Sequence, residues 1–212
     1  MNILKLFIIL SAVFLFLPTA NCLAEQSAQD EFLHKLESKS EKIQSISSHF
    51  IQKSYISLFQ DTMESKGKFS FLRPDNLRWE YSSPFVSGFL LKGHEGLKWD
   101  EATSKTSAFN TETSPEMAII SEQILAWTTM NISWLNSMYI LKVSKYSPAI
   151  MELTPRSAAA KDFLNLIKIF FSMDSSHLKS IELHAPDGDY TKIDFSDVKI
   201  NERLEKEIFE KR

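Results

Sequence analysis

Five histidines, one cysteine and a guanidinium set beside a proline are the side chains of this 212-residue chain with most chemistry to offer. The histidines stand singly at 34, 49, 94, 177 and 184, whereas a zinc site needs several donors at short, set spacings. Only His94 has a carboxylate beside it, Glu95, and the pair reads most simply as a turn dipeptide after Gly93. The chain has no Gly-x-Ser-x-Gly elbow, no His-Glu-x-x-His pair and no Gly-rich phosphate loop, so the usual nucleophile, metal and nucleotide chemistries lack their residues. Neither a metal nor a cofactor is expected, and the chain reads as a non-enzyme. What remains is Arg73, followed by Pro74-Asp75-Asn76. An arginine beside a turn is usually solvated, and a polar role for it requires carbonyls or acids within reach of its five donors.

The elements around Arg73 give it a setting. Over 67–84 the chain reads Gly-Lys-Phe-Ser-Phe-Leu-Arg-Pro-Asp-Asn-Leu-Arg-Trp-Glu-Tyr-Ser-Ser-Pro. Phe69 and Phe71, then Leu77, Trp79 and Tyr81, recur at every second position, the period of strands with one apolar face. Pro74, Asp75 and Asn76 form the turn, so an antiparallel hairpin with an aromatic inner face carries the guanidinium at its corner.

The sequence upstream predicts a helix over 30–48, from the stripe Phe32, Leu33, Leu36, Ile43 and Ile46, with Ser27 or Asp30 as cap. A first strand with Phe50 and Gln52 on one face follows over 48–55. Downstream, 85–92 reads as a strand with Gly88 marking a bulge, and Gly93-His94-Glu95-Gly96 as a tight turn. A strand over 97–101 then places Leu97 and Trp99 on one face, and 103–115 is a polar loop or ragged edge strand. A single helix over 116–135, capped by Ser114 and striped with Met117, Ile120, Ile124, Leu125 and Trp127, carries more apolar surface than a solvated helix needs and should lie over the aromatic sheet. A second meander is expected at 139–146, 150–154, 163–173, 178–184 and 190–200, with Pro186-Asp187-Gly188-Asp189 as a hairpin turn. The last eleven residues read as a short helix or frayed tail. The aromatic set Phe50, Phe69, Phe71, Leu77, Trp79, Tyr81, Leu91 and Trp99 either fills a solid core or lines a ligand space, and periodicity alone favours the core, because most alternating strands pack against a neighbouring layer.

Composition bounds the rest. Sixteen Phe against five Gly, within 43% hydrophobic residues, point to a large apolar interior, and the length suits one domain. Lys5 precedes an uncharged run over 6–17, broken at Pro18-Thr19-Ala20, which is the layout of a secretory signal peptide. That run falls short of the roughly 20 apolar residues of a membrane span. Cleavage after Ala24 is expected, leaving one domain over 25–212. Cys22 has Asn21 before it and Thr19 three positions before, which is not the lipoprotein box, and it leaves with the leader. The full chain has 24 basic and 27 acidic residues; losing Lys5 leaves 23 against 27, a net −4. That balance argues against nucleic acid, whose phosphates need clustered Lys and Arg.

In order and spacing the chain resembles the LolA-like carriers of outer-membrane lipoproteins in Gram-negative bacteria. The resemblance rests on Phe50-Ile51-Gln52, Gly67, Arg73-Pro74, Trp79, Pro84, Leu97-Lys98-Trp99 and Leu153-Thr154-Pro155-Arg156, a succession that follows an export signal. It implies an α+β, mainly β fold: a curved antiparallel sheet forming an incomplete, half-open β-barrel with helices covering its mouth and an apolar cavity for acyl chains. It also implies that Arg73 fastens the helical lid, that Leu77 and Trp79 face the cavity, and that the protein is a periplasmic monomer. Its partners would be acylated lipoprotein or lipid cargo, an inner-membrane lipoprotein-releasing ABC transporter and an outer-membrane acceptor. This chain departs from the pattern at Gly93-His94-Glu95-Gly96, where the family often has Asp-Gly, and 102–136 carries no residue-level match. The other readings are a periplasmic lipid or lipoprotein sensor that regulates a membrane signalling protein, and a hydrolase whose nucleophile is not found.

Overall fold

A computed structural model describes the backbone of residues 17–211 and the side chains of 26–211. The leader expected over 1–24 therefore lies largely outside the described residues, and the Cys22 side chain wholly so. The chain divides into two compact units, Met1–Lys35 and Leu36–Arg212. Helix α1, Leu17–Ser40, begins in the first and ends in the second. Ser27 and Asp30 sit inside this helix rather than capping it. It also stops eight residues short of the predicted end. Ile43 and Ile46 fit a helical stripe by spacing, yet from Ser45 the backbone is paired on both sides as a strand, and that ladder overrides the local pattern.

In the second unit the strands are β1 (Ser45–Ile56), β2 (Asp61–Leu72), β3 (Asn76–Ser83), β4 (Ser87–Lys92), β5 (Glu95–Asp100) and β6 (Lys105–Asn110), then β7 (Tyr139–Tyr146), β8 (Ala149–Pro155), β9 (Leu166–Phe171), β10 (Leu178–His184) and β11 (Tyr190–Ile200). Between the two runs lie α2 (Pro115–Thr129) and α3 (Ile132–Met138), and a one-turn helix α4 (Ala158–Lys161) joins β8 to β9. Among the described residues these eleven strands form one antiparallel sheet, ordered β6-β5-β4-β3-β2-β1-β11-β10-β9-β8-β7. Two meanders meet at the β1–β11 pair, and the outer strands β6 and β7 do not close on each other. The result is the mainly β, incomplete barrel that the resemblance implies.

The single helix expected over 116–135 is two helices. Met130 takes a left-handed conformation with φ 48° and ψ 48°, which ends α2, and Asn131 caps α3 by accepting from the Trp134 N–H at 3.0 Å. Ser114 precedes α2 without a side-chain capping bond; Pro115 starts the helix instead. Met117 of α2 joins Phe50, Phe69, Phe71, Leu77, Trp79, Leu91 and Ile193 in one buried cluster, with Ile124 and Leu125 against it, so α2 lies over the sheet as its apolar stripe required.

Gly88 pairs without interruption to Glu80 on one side and Trp99 on the other, so it is not a bulge. It is a seat for a ring. Cross-strand partners Gly67 and Phe50, Gly88 and Trp99, and Gly96 and Phe109 each set an aromatic over a glycine. A methyl on Gly67 would overlap both the Phe50 ring and the Glu80 carbonyl oxygen, so the missing side chain is what lets the ring lie flat on the backbone.

Candidate functional site

Strand alternation divides the hairpin residues between two faces. Phe50, Phe69, Phe71, Leu77, Trp79, Tyr81 and Leu91 share the concave face through the pairs Phe50↔Gly67, Phe69↔Trp79, Phe71↔Leu77 and Leu77↔Leu91. Trp99 does not. It pairs with Gly88, which pairs with Glu80, and its ring lies 5.0 Å from the Arg78 guanidinium, on the convex side. Leu97 shares that side through Leu90. The concave positions of β5 and β6 are instead Gly96 and Phe109, which continue the core, and Lys98, Asp100, Lys105 and Ser107, which border the groove. The expectation that Trp99 belongs with the other rings is thus corrected. Glu95 and Gly96 already belong to β5, so the turn is the two residues Gly93-His94. Any turn of even length sets the odd positions of β5 opposite even positions of β4, and Trp99 therefore shares the side of Gly88 rather than that of Leu91.

On the concave side the rings interlock. Phe50 sits 4.5 Å from Trp79 and edge-on to Tyr81 at 5.3 Å, and Phe195 meets Phe69 and Trp79 at 6.3 Å each. Phe50, Phe71, Leu77 and Leu91 are sealed, each at most 2% exposed. They form solid core rather than a lining. Phe69, Trp79 and Tyr81 border open space. A cavity of about 50 Å³ lies among Phe69, Trp79, Ile124, Trp127, Phe171 and Phe195. A larger groove, about 690 Å³, runs between α2 and the sheet past Trp79, Tyr81, Phe89, Ile120 and Ile193, with Lys98, Asp100 and Lys105 at its lip. Trp79, Ile124 and Trp127 are common to both walls. The groove falls within the roughly 300–1,000 Å³ of ordinary ligand sites. Tyr81 donates its hydroxyl proton to Gln52 Oε1 at 2.8 Å, and burial pushes its pKa up.

The opposite wall comes from strands that the hairpin pattern does not reach. Ile181, Ile193 and Phe195 complete the concave face from β10 and β11. Their signal is the period-two pattern of the last strands, which marks a meander without assigning it to the site.

Arg73 stands at the hairpin corner as expected, and its partners are carbonyls. Nε donates to the Ile43 oxygen and Nη2 to the Ser40 oxygen, both at 2.8 Å, while its main-chain N–H donates to the Gln44 oxygen at 2.8 Å. These lie at and just beyond the end of α1, where helix carbonyls lack intrahelical partners. The Ser40 hydroxyl in turn donates to the Thr129 carbonyl at the end of α2.

One cluster invites comparison with a catalytic relay. Ser176 Oγ lies 2.9 Å from His177 Nδ1 and 2.8 Å from Asp174 Oδ1, and burial holds the His177 pKa below its usual value. Asp174 also takes the Ser172 hydroxyl and the Ser176 N–H. The carboxylate therefore binds serines and backbone, not the imidazole. A relay needs it on the imidazole, so this geometry is that of a stapled β9–β10 turn.

Arg78 fastens the convex side. Nη1 donates to the Ile208 and Lys211 oxygens at 2.9 and 2.6 Å, and Nε donates to Glu80 at 2.7 Å. It holds the 3₁₀ turn Lys206–Phe209, whose Phe209 is buried. Of the two expectations for the tail, a short helix or a frayed end, the first holds as this 3₁₀ turn, docked as a strap.

These features define a class: an unclosed antiparallel barrel with a helix over its concave, apolar face. The chain belongs to the LolA family, described as outer membrane lipoprotein carrier protein LolA, whose sequence model matches residues 41–212. No curated protein matches the chain. Among solved structures, an uncharacterized conserved protein from Thermus thermophilus is similar at 10% identity and a TM-score of 0.55, over 88% of this chain and 94% of that one. A LolA superfamily protein from Nitrosomonas europaea gives 10% identity and 0.41, over 84% and 96%. Lipoprotein LppX of Mycobacterium tuberculosis gives 11% and 0.43, over 83% and 98%. Among the described residues no helix is long and apolar enough to cross a membrane.

Proposed function

We propose that this protein is a periplasmic carrier that takes up the acyl chains of a lipoprotein, or of a related lipid, and moves them from the inner to the outer membrane without chemical turnover. The observation that carries the reading is the groove of about 690 Å³ between α2 and the sheet, apolar along Trp79, Phe89, Ile120 and Ile193 and charged only at its lip. Such a groove suits a ligand with a hydrocarbon body and a polar end. Each buried CH₂ contributes about 0.8 kcal/mol, so an acylated cargo does not cross water unaided at acceptable cost. Family membership supports the same reading.

Under this proposal residues 1–24 are the export signal and Glu25 is the first residue of the mature domain, 25–212. Phe69, Trp79 and Tyr81 line the site, with Ile120, Ile124 and Trp127 opposite. Arg73 governs how firmly the ends of α1 and α2 are held to the hairpin. A lipoprotein-releasing ABC transporter supplies cargo, an outer-membrane acceptor receives it, and the carrier acts as a monomer.

Native mass spectrometry of the protein recovered from its own periplasm tests this directly. A mass for 25–212 plus an acylated ligand is expected. A ligand-free protein that also fails to bind a fluorescent fatty acid would sink the proposal.

A further inference from the structure

Among the described residues, four buried side-chain atoms have no hydrogen-bond partner: Ser48 Oγ, Ser121 Oγ, Trp127 Nε1 and Ser180 Oγ. Two of them, Ser48 and Trp127, line the same 50 Å³ cavity. Ser48 is 7% exposed and Trp127 6%. An unsatisfied buried donor costs more than a typical hydrogen bond contributes, and two on residues of one largely apolar wall ask for an explanation. Their chemistry narrows it. The indole N–H only donates, and the serine hydroxyl is free to donate, so the pair accepts a group with lone pairs.

We infer that Ser48 and Trp127 form a polar subsite for the neutral carbonyl oxygen of an acyl ester or amide, deepening the carrier reading on which this rests. The cavity is too small for a whole chain but has space for a carbonyl and its neighbouring carbons, and Trp127 belongs to its wall and to that of the groove alike. A chain lying in the groove past Trp79 and Ile124 thus brings its linkage to the indole. A carboxylate fits poorly, since burying a charge beside Phe69, Phe171 and Phe195 costs far more than burying a neutral carbonyl, and the one lysine bordering the cavity among the described residues, Lys39, already donates to the Asp174 main-chain oxygen. A water also fits poorly, because buried waters usually keep about three partners and other polar side chains of the cavity wall are already engaged: Ser40 by Glu37 and Thr129, Thr128 by Ile124, Ser176 by Asp174 and His177, and Lys39 by Asp174. The β11 bulge opposite Ser48, where Asp197 and Val198 face one residue of β1, gives this stretch of ladder its irregular geometry. Bulges commonly re-aim side chains beside binding sites.

The test is a matched pair of neutral lipids, monopalmitoyl glycerol and its 1-O-hexadecyl ether, each competing with a fluorescent fatty acid for the full mature chain. Wild type should bind the ester about three- to tenfold more tightly than the ether. Ser48→Ala should reduce that preference while leaving ether affinity unchanged, which also reports that the cavity is intact. Trp127→Phe, which alters the groove wall as well, should lower the ester-to-ether ratio whatever its effect on the ether itself. Equal affinity of wild type for ester and ether, preference undiminished in both variants, or equal loss of both ligands in both variants overturns the subsite and leaves the carrier reading standing. If neither lipid nor the fatty acid binds, the carrier reading itself falls.

Discussion

Arg73 Nη2 donates to the main-chain oxygen of Ser40 at 2.8 Å, and through that residue the hairpin corner reaches both helices that flank the site. The guanidinium satisfies carbonyls at the end of α1, and the Ser40 hydroxyl bonds the Thr129 carbonyl at the end of α2. Planar, two-point donation of this kind is specific to arginine. A lever that loosens one helix end thus disturbs the other.

Arg73→Leu should keep the fold and still take up acyl cargo, at a cost of about 1.5–3 kcal/mol for the lost charge-assisted bonds. Transfer to the acceptor should slow, because the closed arrangement no longer competes with the ligand. Arg73→Lys should recover stability only in part. Urea denaturation and a two-component transfer assay read both effects, and handover at the wild-type rate by Arg73→Leu would remove the gating role.

Gly67→Ala should be among the most damaging single-methyl changes on the sheet. The added carbon meets the Glu80 carbonyl, which is fixed in the ladder, and the Phe50 ring, which is sealed by Trp79 and Tyr81. Overpacking of this kind costs about 1–3 kcal/mol or more. Gly93→Asn is the control. Its position has open space and φ of +64°, which asparagine tolerates, so its chemical denaturation midpoint should stay close to wild type.

Several strands were legible because their signals were local and redundant. The β2–β3 hairpin has alternation, a proline turn and an aromatic face, and 139–146, 178–184 and 190–200 match the strands residue for residue. The faces were harder. Trp99 looks like Trp79 in sequence, yet across the even-length Gly93-His94 turn it pairs with Gly88 and so lies on the other side of the sheet from Leu91 and Trp79. The end of α1 was illegible for another reason: Ile43 and Ile46 stand three apart and extend the helical stripe, and only the pairing of the chain from Ser45 on with β2 and β11 ends it. Ser48 lies between two isoleucines and a phenylalanine on a plain strand, so nothing in its neighbourhood announces an unpaired hydroxyl. Only its burial in the fold does that.

The division of faces makes a paired prediction. Ile120 borders the groove from α2 and is partly exposed, so Ile120→Glu should fold normally and weaken fluorescent fatty-acid binding by about tenfold or more, since a carboxylate there must remain hydrated. Arg78→Ala acts on the convex side. It releases the Ile208 and Lys211 carbonyls and uncovers Trp99, so the strap should become sensitive to protease while acyl binding stays unchanged. Fatty-acid affinity lost in Arg78→Ala and kept in Ile120→Glu would reverse the assignment of faces.

His177 supplies a pH dependence whose sign follows from its surroundings. Burial lowers its pKa below the ordinary 6.5, with the nearby Asp174 charge opposing. Ser176 Oγ sits on its Nδ1, and Lys39, which borders the same cavity, donates to the Asp174 main-chain oxygen at 2.6 Å. The folded protein therefore binds this proton less readily than the unfolded chain. Stability from His177 is complete above about pH 6.5 and declines as pH falls below that value toward and through the folded pKa. Denaturation midpoints measured from about pH 7.5 down to about 5 should fall for wild type, and His177→Gln should flatten that part of the curve. Because His177, Lys39 and Ser40 border one end of the inner cavity, the same acidification should speed ligand release in wild type and not in His177→Gln. A variant whose release rate still tracks pH as wild type does would place the sensitivity elsewhere in the protein.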